Sequence, residues 1–237
     1  VPAAVIFDLP FGGKPQIRPT ADCGYKAAST ASASAVEEGN VGVGAGATVG
    51  KLEALLGARG GATRRSPMKA GAGSAPIRLG NGLVVSALAV ANAVGDIIDP
   101  MSGKVVAGVR NADGSLADAR LLLRSGNAAP VRVGENTTLV VVATNAQLTK
   151  VQATRVALMA DDGLARAVNP VHTQGDGDTV FVLATGRFTG TVDLTTVGGL
   201  AAEVVAETVN RLRPSIVTVI GVPPIAASIV RLTSPTV

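Results

Sequence analysis

Gly134-Glu135-Asn136-Thr137-Thr138-Leu139-Val140-Val141-Val142-Ala143-Thr144-Asn145 sets two hydroxyl residues directly before an apolar, β-branched run. A run of this length and branching reads as a buried strand. Two readings of its mouth are open on these residues. One is a plain Gly-Glu-Asn turn entering a core strand. The other is a cleavable junction: a cut between Asn136 and Thr137 would make Thr137 an N-terminal nucleophile at a strand end, and the protein a self-activating hydrolase.

Beyond the run, residues 149–168 carry a helical pattern, with Thr149 near the cap and Val151, Val156, Met159, Leu164 and Val168 at apolar positions. Residues 179–185 read as a strand. Residues 195–212 read as an amphipathic helix with Val197, Leu200, Ala201, Val204 and Leu212 on one face and Pro214 as its stop. On the other side, residues 100–134 mix Gly, Asp, Asn, Ser and Pro and read as a long exposed connection, giving slack just before Asn136. Strands are expected at 3–9, 76–79, 83–92 and 95–98, an Ala-rich helix at 20–37, and loop at 55–75. Residues 41–50 alternate Gly with small residues, the pattern of an extended segment closely approached by another backbone or a ligand. A phosphate cradle is the sharper reading there, but Leu52 follows Lys51 where a P-loop needs Ser or Thr. Strands grouped with helices, without strict alternation, predict a layered α+β fold in a single domain spanning 1–237.

Composition narrows the function classes. Aromatics are 2% of 237 residues, with no Trp, so the core must be Val, Ala, Leu and Ile, with 29 Gly residues permitting close packing. The net charge of +4 is mild, and Arg64-Arg65 with Lys69 is its one small cluster. Scattered cations without stacking aromatics argue against nucleic acid. Cys23 and His172 are single. One Cys excludes an intrachain disulfide, and one His excludes a zinc site built on several imidazoles. A lone Cys in an Ala-rich helix reads as packing. A Ser-His-Asp triad or a Cys-His pair would have to use His172, so a nucleophile here calls for a base other than His. No cofactor or metal site is expected. The apolar runs are too short, or too broken by Pro, to span a bilayer, and no basic leader precedes them. The expectation is a soluble, cytoplasmic protein whose upstream sequence is missing.

A free α-amine on Thr137 supplies the missing base. Its reference pKa of about 7.7–8.0 suits proton transfer at neutral pH, and it can take the proton from its own hydroxyl. Asp176 and Asp178, at the mouth of the 179–185 strand, could orient the ammonium form. Asn92 has an amide suited to an oxyanion, and Lys51 could add positive charge there. Each also has a plain reading: Asp-Gly-Asp as a turn or weak calcium loop, Asn92 as a strand-bend residue, Lys51 as a solvated strand end.

Several stretches together resemble the DmpA-type self-processing aminopeptidases (L-aminopeptidase/D-esterase and β-aminopeptidase), and within them the nylon-oligomer endohydrolase branch that cleaves aminohexanoate oligomers. They are Ala4-Val5-Ile6-Phe7-Asp8, Gly44-Ala45-Gly46 through Gly50-Lys51, Asn92 with Val94-Gly95 and Asp99, Asn136-Thr137-Thr138, Asp162-Gly163-Leu164-Ala165-Arg166, and His172-Thr173 through Asp176-Gly177-Asp178-Thr179. The resemblance implies an αββα sandwich of the N-terminal-nucleophile type and self-cleavage at Asn136–Thr137 into parts 1–136 and 137–237. It implies Thr137 as nucleophile, Asp176 and Asp178 as its partners, Lys51 and Asn92 near the reacting carbonyl, and several αβ protomers, a tetramer by preference. The Thr and the double Asp resemble the nylon-oligomer branch more than the Ser-based aminopeptidases. Phe7 stands in a substrate-binding position where relatives carry a Tyr near the oxyanion, so one possible donor is absent. The activity implied is hydrolysis of linear oligoamides or small peptides. Aminopeptidase/D-esterase action, an ornithine acetyltransferase-like acyl transfer, and a non-enzymatic assembly protein of the same fold are the alternatives.

Overall fold

The computed structural model describes residues 4–7, 16, 18–52, 67–111, 113–126 and 136–212. The rest of the 3–9 strand, Arg64-Arg65, Gly134-Glu135 and the Pro214 stop lie outside the described residues.

The long elements stand where periodicity places them. Strand β7 (Leu139–Thr144), helix α3 (Lys150–Ala167), strand β9 (Thr179–Ala184) and helix α4 (Leu194–Asn210) follow one another along the chain. A capping box starts α3: Thr149 Oγ1 accepts from Gln152 N–H, and Gln152 Oε1 accepts from Thr149 N–H. At the start of α4, Asp193 accepts from the N–H groups of Thr195 and Thr196, satisfying two donors that the helix leaves unpaired.

Strands β3 (Ala72–Arg78) and β4 (Val84–Val90) complete a four-stranded sheet in the order β3-β4-β7-β9. β7 and β9 are parallel and the other pairs antiparallel. Alternation sorts the faces. Ala75, Val85, Ala87, Ala89, Val140 and Val142 are buried on the face that carries the helices. Leu88, Leu139, Val141 and Phe181 lie half-buried on the other. Among the described residues, the buried apolar side chains are all Ala, Val, Leu or Ile, as the shortage of aromatics demands. Small residues also set the helix spacing: a Cβ on Gly163 would strike the Ala202 carbonyl, and one on Gly198 would strike Met159. Val151, one of the apolar positions named for this helix, is exposed.

Shorter elements depart from expectation. Helix α1 (Ala21–Ser29) buries none of its residues and ends well before residue 37. The Ser- and Thr-rich residues after it have no tertiary face to hold them helical, and these side chains compete for backbone groups. Cys23 is exposed rather than packed. Residues 4–7 form no strand among the described residues. Residues 41–50 are not wholly extended: a 3-10 turn at Gly42–Gly46 precedes strand β1 (Thr48–Val49), which pairs with β2 (Met68–Lys69) inside the stretch expected to be loop. Within 100–134 lie strand β6 (Val105–Ala107) and helix α2 (Ala119–Arg124). β6 flanks β5 (Asp96–Ile98), with β8 (Val168–Asn169) on the other side, in a second sheet ordered β6-β5-β8.

Asp96 ties that second sheet to its surroundings. Its fully buried carboxylate accepts from Val109 N–H at 2.8 Å and Ala119 N–H at 2.7 Å. Burial nevertheless pushes it from the ordinary 3.8 up to about 6, against those two hydrogen bonds. The folded chain therefore holds this proton more tightly than the unfolded chain. The stabilisation from protonated Asp96 is complete below about pH 4 and is lost as pH rises through about 6, a change of about 3 kcal/mol at most. Urea unfolding from pH 4 to 7 is expected to show that slope in the native chain and to lose it in Asp96→Asn. An equal slope in both would refute the assignment.

Candidate active site

Parallel pairing builds the site. β7 and β9 run with a constant register, Leu139 beside Thr179 and Val140 beside Val180. Extended past the strand mouths, the register sets Asn136 beside Asp176, where an isolated parallel bridge forms. Thr137 and Thr138 thereby fall alongside Gly177 and Asp178. Two sequence features forty residues apart meet because their strands are neighbours.

The hydrogen bonds follow. Gly177 N–H donates to the Asn136 carbonyl at 2.7 Å, and Thr179 N–H to the Thr138 carbonyl at 3.0 Å. The Thr137 hydroxyl donates to the same Asn136 carbonyl oxygen at 2.6 Å. Two donors thus converge on the carbonyl of the expected cleavage junction. The residue facing Thr137 must be small: a Cβ on Gly177 would stand 3.1 Å from Thr137 Oγ1. Asn136 and Thr137 are both buried.

The carboxylates take different stations. Asp178 Oδ1 accepts from Thr138 N–H at 2.7 Å. Burial raises the Asp178 carboxyl above its ordinary range and the charge on Asp176 adds to this, while Thr138 N–H and His172 oppose. Asp176 is fixed by Thr173, whose N–H and hydroxyl both donate to Oδ2, and by Val94 N–H on Oδ1.

Lys51 and Asn92 arrive from the other side. Gly50 and Lys51 donate from their backbone N–H groups to the carbonyls of Gly95 and Val94. Gly50 has φ +73°, and a Cβ there would overlap the Gly108–Val109 backbone, so the turn into Lys51 needs glycine. Lys51 is only 3% exposed. Its ammonium donates to Asn92 Oδ1 at 2.7 Å and to the Asn92 carbonyl at 3.3 Å, as a buried charge requires. That carbonyl also accepts Thr137 N–H at 3.1 Å. Asn92 Oδ1 takes a further bond from Thr48 N–H.

The structure therefore gathers Asn136, Thr137, Asp176, Asp178, Asn92 and Lys51 in one place. Two expectations are modified. One N–H of the Asn92 amide is already engaged, donating to the Phe7 carbonyl at 3.1 Å. Phe7 meets Asn92 through its backbone, and its side chain is partly exposed. Lys51 is buried rather than a solvated strand end. Sequence reasoning gave no role to the Gly177 N–H or to Thr173. Among the described residues, no cluster of three or more His, Cys, Asp or Glu could hold a metal ion, and no helix is long and apolar enough to cross a membrane.

The profile of Peptidase family S58 matches residues 4–220. An uncharacterized aminopeptidase of Mycobacterium tuberculosis (strain ATCC 25618 / H37Rv) is 41% identical over 192 residues, covering 78% of this chain and 51% of that protein. A 6-aminohexanoate-oligomer endohydrolase of Paenarthrobacter ureafaciens is 29% identical over 228 residues, 88% of this chain and 59% of that one. The chain thus spans between half and three-fifths of the length of these relatives. Among solved structures, a Burkholderia sp. beta-aminopeptidase aligns at 25% identity with a TM-score of 0.48, over 75% of this chain and 46% of that one.

Proposed function

The chain belongs to peptidase family S58, and from that premise we propose that it is a self-processing N-terminal-nucleophile amidohydrolase with Thr137 as nucleophile. The observation that carries the reading is the Asn136 carbonyl oxygen, which receives the Thr137 hydroxyl at 2.6 Å and Gly177 N–H at 2.7 Å. The first group is the attacking atom and the second a donor poised for the oxyanion. Thr137 Oγ1 adds to the Asn136 carbonyl carbon, and the negative charge collects on the oxygen held by Gly177. The C–N bond then breaks, the Thr137 nitrogen takes up the proton, and water hydrolyses the resulting ester. The chain is left as 1–136 and 137–237.

The freed α-amine, still facing the Asn92 carbonyl, becomes the general base for the next carbonyl. A substrate amide enters the position the Asn136 carbonyl has left. Thr137 Oγ1 forms the acyl-enzyme, the α-amine passes its proton to the leaving amine, and water releases the acid. Asp178 holds the Thr138 N–H and Asp176 anchors the loop, so the pair positions the nucleophile. Lys51 and the free N–H of Asn92 bring positive potential to the reacting carbonyl. Phe7 stands beside Asn92 as a substrate contact.

Linear oligoamides of the aminohexanoate type and small peptides are the proposed substrates. The relatives of higher identity carry the name aminopeptidase, which favours substrates with a free amino end. The half-buried apolar face of Leu88, Leu139, Val141 and Phe181 suits a second sheet, which would complete an αββα sandwich in the whole protein. Association of αβ protomers into a tetramer belongs to the same reading.

The test is the intact mass of freshly purified protein under denaturing conditions. The expected result is a fragment holding the 101 residues from Thr137 to Val237 (237 less the first 136). A single chain that stays uncut yet hydrolyses amides would overturn the reading.

A further inference from the structure

His172 takes no part in the chemistry above, yet its ring faces a buried oxygen of the site that lacks a hydrogen-bond partner. Asp178 Oδ2 is buried and accepts no hydrogen bond of ordinary geometry among the described residues. His172 Nδ1 stands 3.3 Å from it. At the other edge of the ring, Nε2 stands 3.6 Å from Asp161 Oδ2 on α3. The Asp178 side chain is 3% exposed and that of Asp161 39%. The imidazole therefore runs from a carboxylate in contact with solvent to one sealed in the site. Its backbone has φ 54°, a left-handed conformation that a residue with a side chain adopts only at a cost. The strain is held where it aims the ring between two carboxylates.

We infer that His172 is a positioning residue for Asp178: wedged between Asp161 and Asp178, it governs the ionisation of the buried carboxylate that holds Thr138, and through it the setting of Thr137. The inference rests on the reading of Thr137 as nucleophile. Among the described residues, Asp161 on α3 and Asp176 in the same loop are the charged groups that act on this pair. A protonated ring offers Asp178 Oδ2 a cation and an N–H, favouring the ionised carboxylate. Burial and the charge on Asp176 push the other way.

Two measurements on the full chain test this. A single imidazole makes the first direct: the ring Cε1–Hε1 signal of 13C-histidine-labelled protein is followed against pH. An inflection is expected as Asp178 titrates, above the ordinary carboxylate range, absent in Asp178→Asn and retained in Asp161→Asn. A signal without it overturns the inference whatever Thr137 does.

The second is the acylation rate of Thr137 by an activated ester against pH, in the native chain, His172→Asn and His172→Gly. Asn and Gly both accept a left-handed backbone. Loss of the cation raises the Asp178 pKa, so the acidic limb, to which protonation of Asp178 adds to that of the α-amine, should move to higher pH, with added imidazole restoring it in His172→Gly. An unmoved limb, or a uniform loss across the pH range, overturns the positioning role. An inflection in the first measurement with no acylation of the native chain sinks the functional reading, and the positioning role falls with it.

Discussion

Thr137→Ala is expected to leave the chain uncut and to lower amide hydrolysis by at least about 10⁴-fold, the scale seen when a nucleophile that works as part of a unit is removed. The substitution deletes the hydroxyl that lies 2.6 Å from the Asn136 carbonyl oxygen and leaves the Gly177 N–H still bonded to that oxygen. The fold should survive, since the backbone bonds to Asn92 and Gly177 do not involve the lost atoms. Mass spectrometry over time should show one species of full mass, with no fragment beginning at Thr137. Thr137→Ser keeps an oxygen in the same place and should still cut, which separates loss of the nucleophile from loss of structure. Cleavage of the Ala variant at the native rate would remove Thr137 from the mechanism altogether.

The ease with which β7, α3, β9 and α4 are read comes from their length and their end signals. Leu139–Ala143 is apolar throughout, Thr149 and Gln152 form a reciprocal cap, and α4 repeats its apolar positions with helical spacing. The shorter elements owe their existence to partners far away in sequence. Helix α2 begins where Ala119 N–H meets the carboxylate of Asp96, and Asp118 caps it from φ 61°. β3 opens through Ala72-Gly73-Ser74, a weak strand pattern by itself, because Gly73 allows α4 to approach: a Cβ there would meet Leu212 and the Thr208 carbonyl. Residues 30–37 have helix-compatible composition in part but no surface to pack on, and stay irregular.

The site divides the same way. The residue types at 51, 92, 136–137 and 176–178 can be read as chemistry from the sequence, and the parallel register explains why the last two groups meet. The Gly177 N–H and the His172 ring cannot be read so, because a backbone donor has no residue type and a left-handed φ leaves no mark in composition. The Asn92 side chain shows the converse: its amide looks available in sequence, but Phe7, Lys51 and Thr48 all bond to it in the fold.

Lys51→Met should slow both self-cleavage and hydrolysis by about 10²-fold, the scale of losing one electrostatic donor from a water-poor site. It should also move the acidic limb of the pH profile, which the α-amine helps to set. The reason is a shared acceptor. Lys51 Nζ and Thr137 N–H both donate to the Asn92 carbonyl, at 3.3 and 3.1 Å. After cleavage that second donor is the α-amine, with a reference pKa of about 7.7–8.0. A buried cation beside it disfavours the ammonium form and keeps the amine free to act as base near neutrality. Met preserves the length and apolar stem of Lys but removes the charge, so the amine pKa should rise and the limb governed by it should shift to higher pH. Asn92 Oδ1 keeps its bond from Thr48 N–H, so the carbonyl of Asn92 is held in place and the effect is electrostatic rather than a collapse of the loop. The pH dependence of kcat in the cleaved Lys51→Met protein, with circular dichroism to confirm the fold, decides it. A limb that moves with the rate assigns Lys51 to tuning the base. A rate loss with an unmoved limb assigns it to the reacting carbonyl instead, and a rate within threefold of native, which is about 0.7 kcal/mol of barrier, would make the ammonium a structural anchor for Asn92 alone.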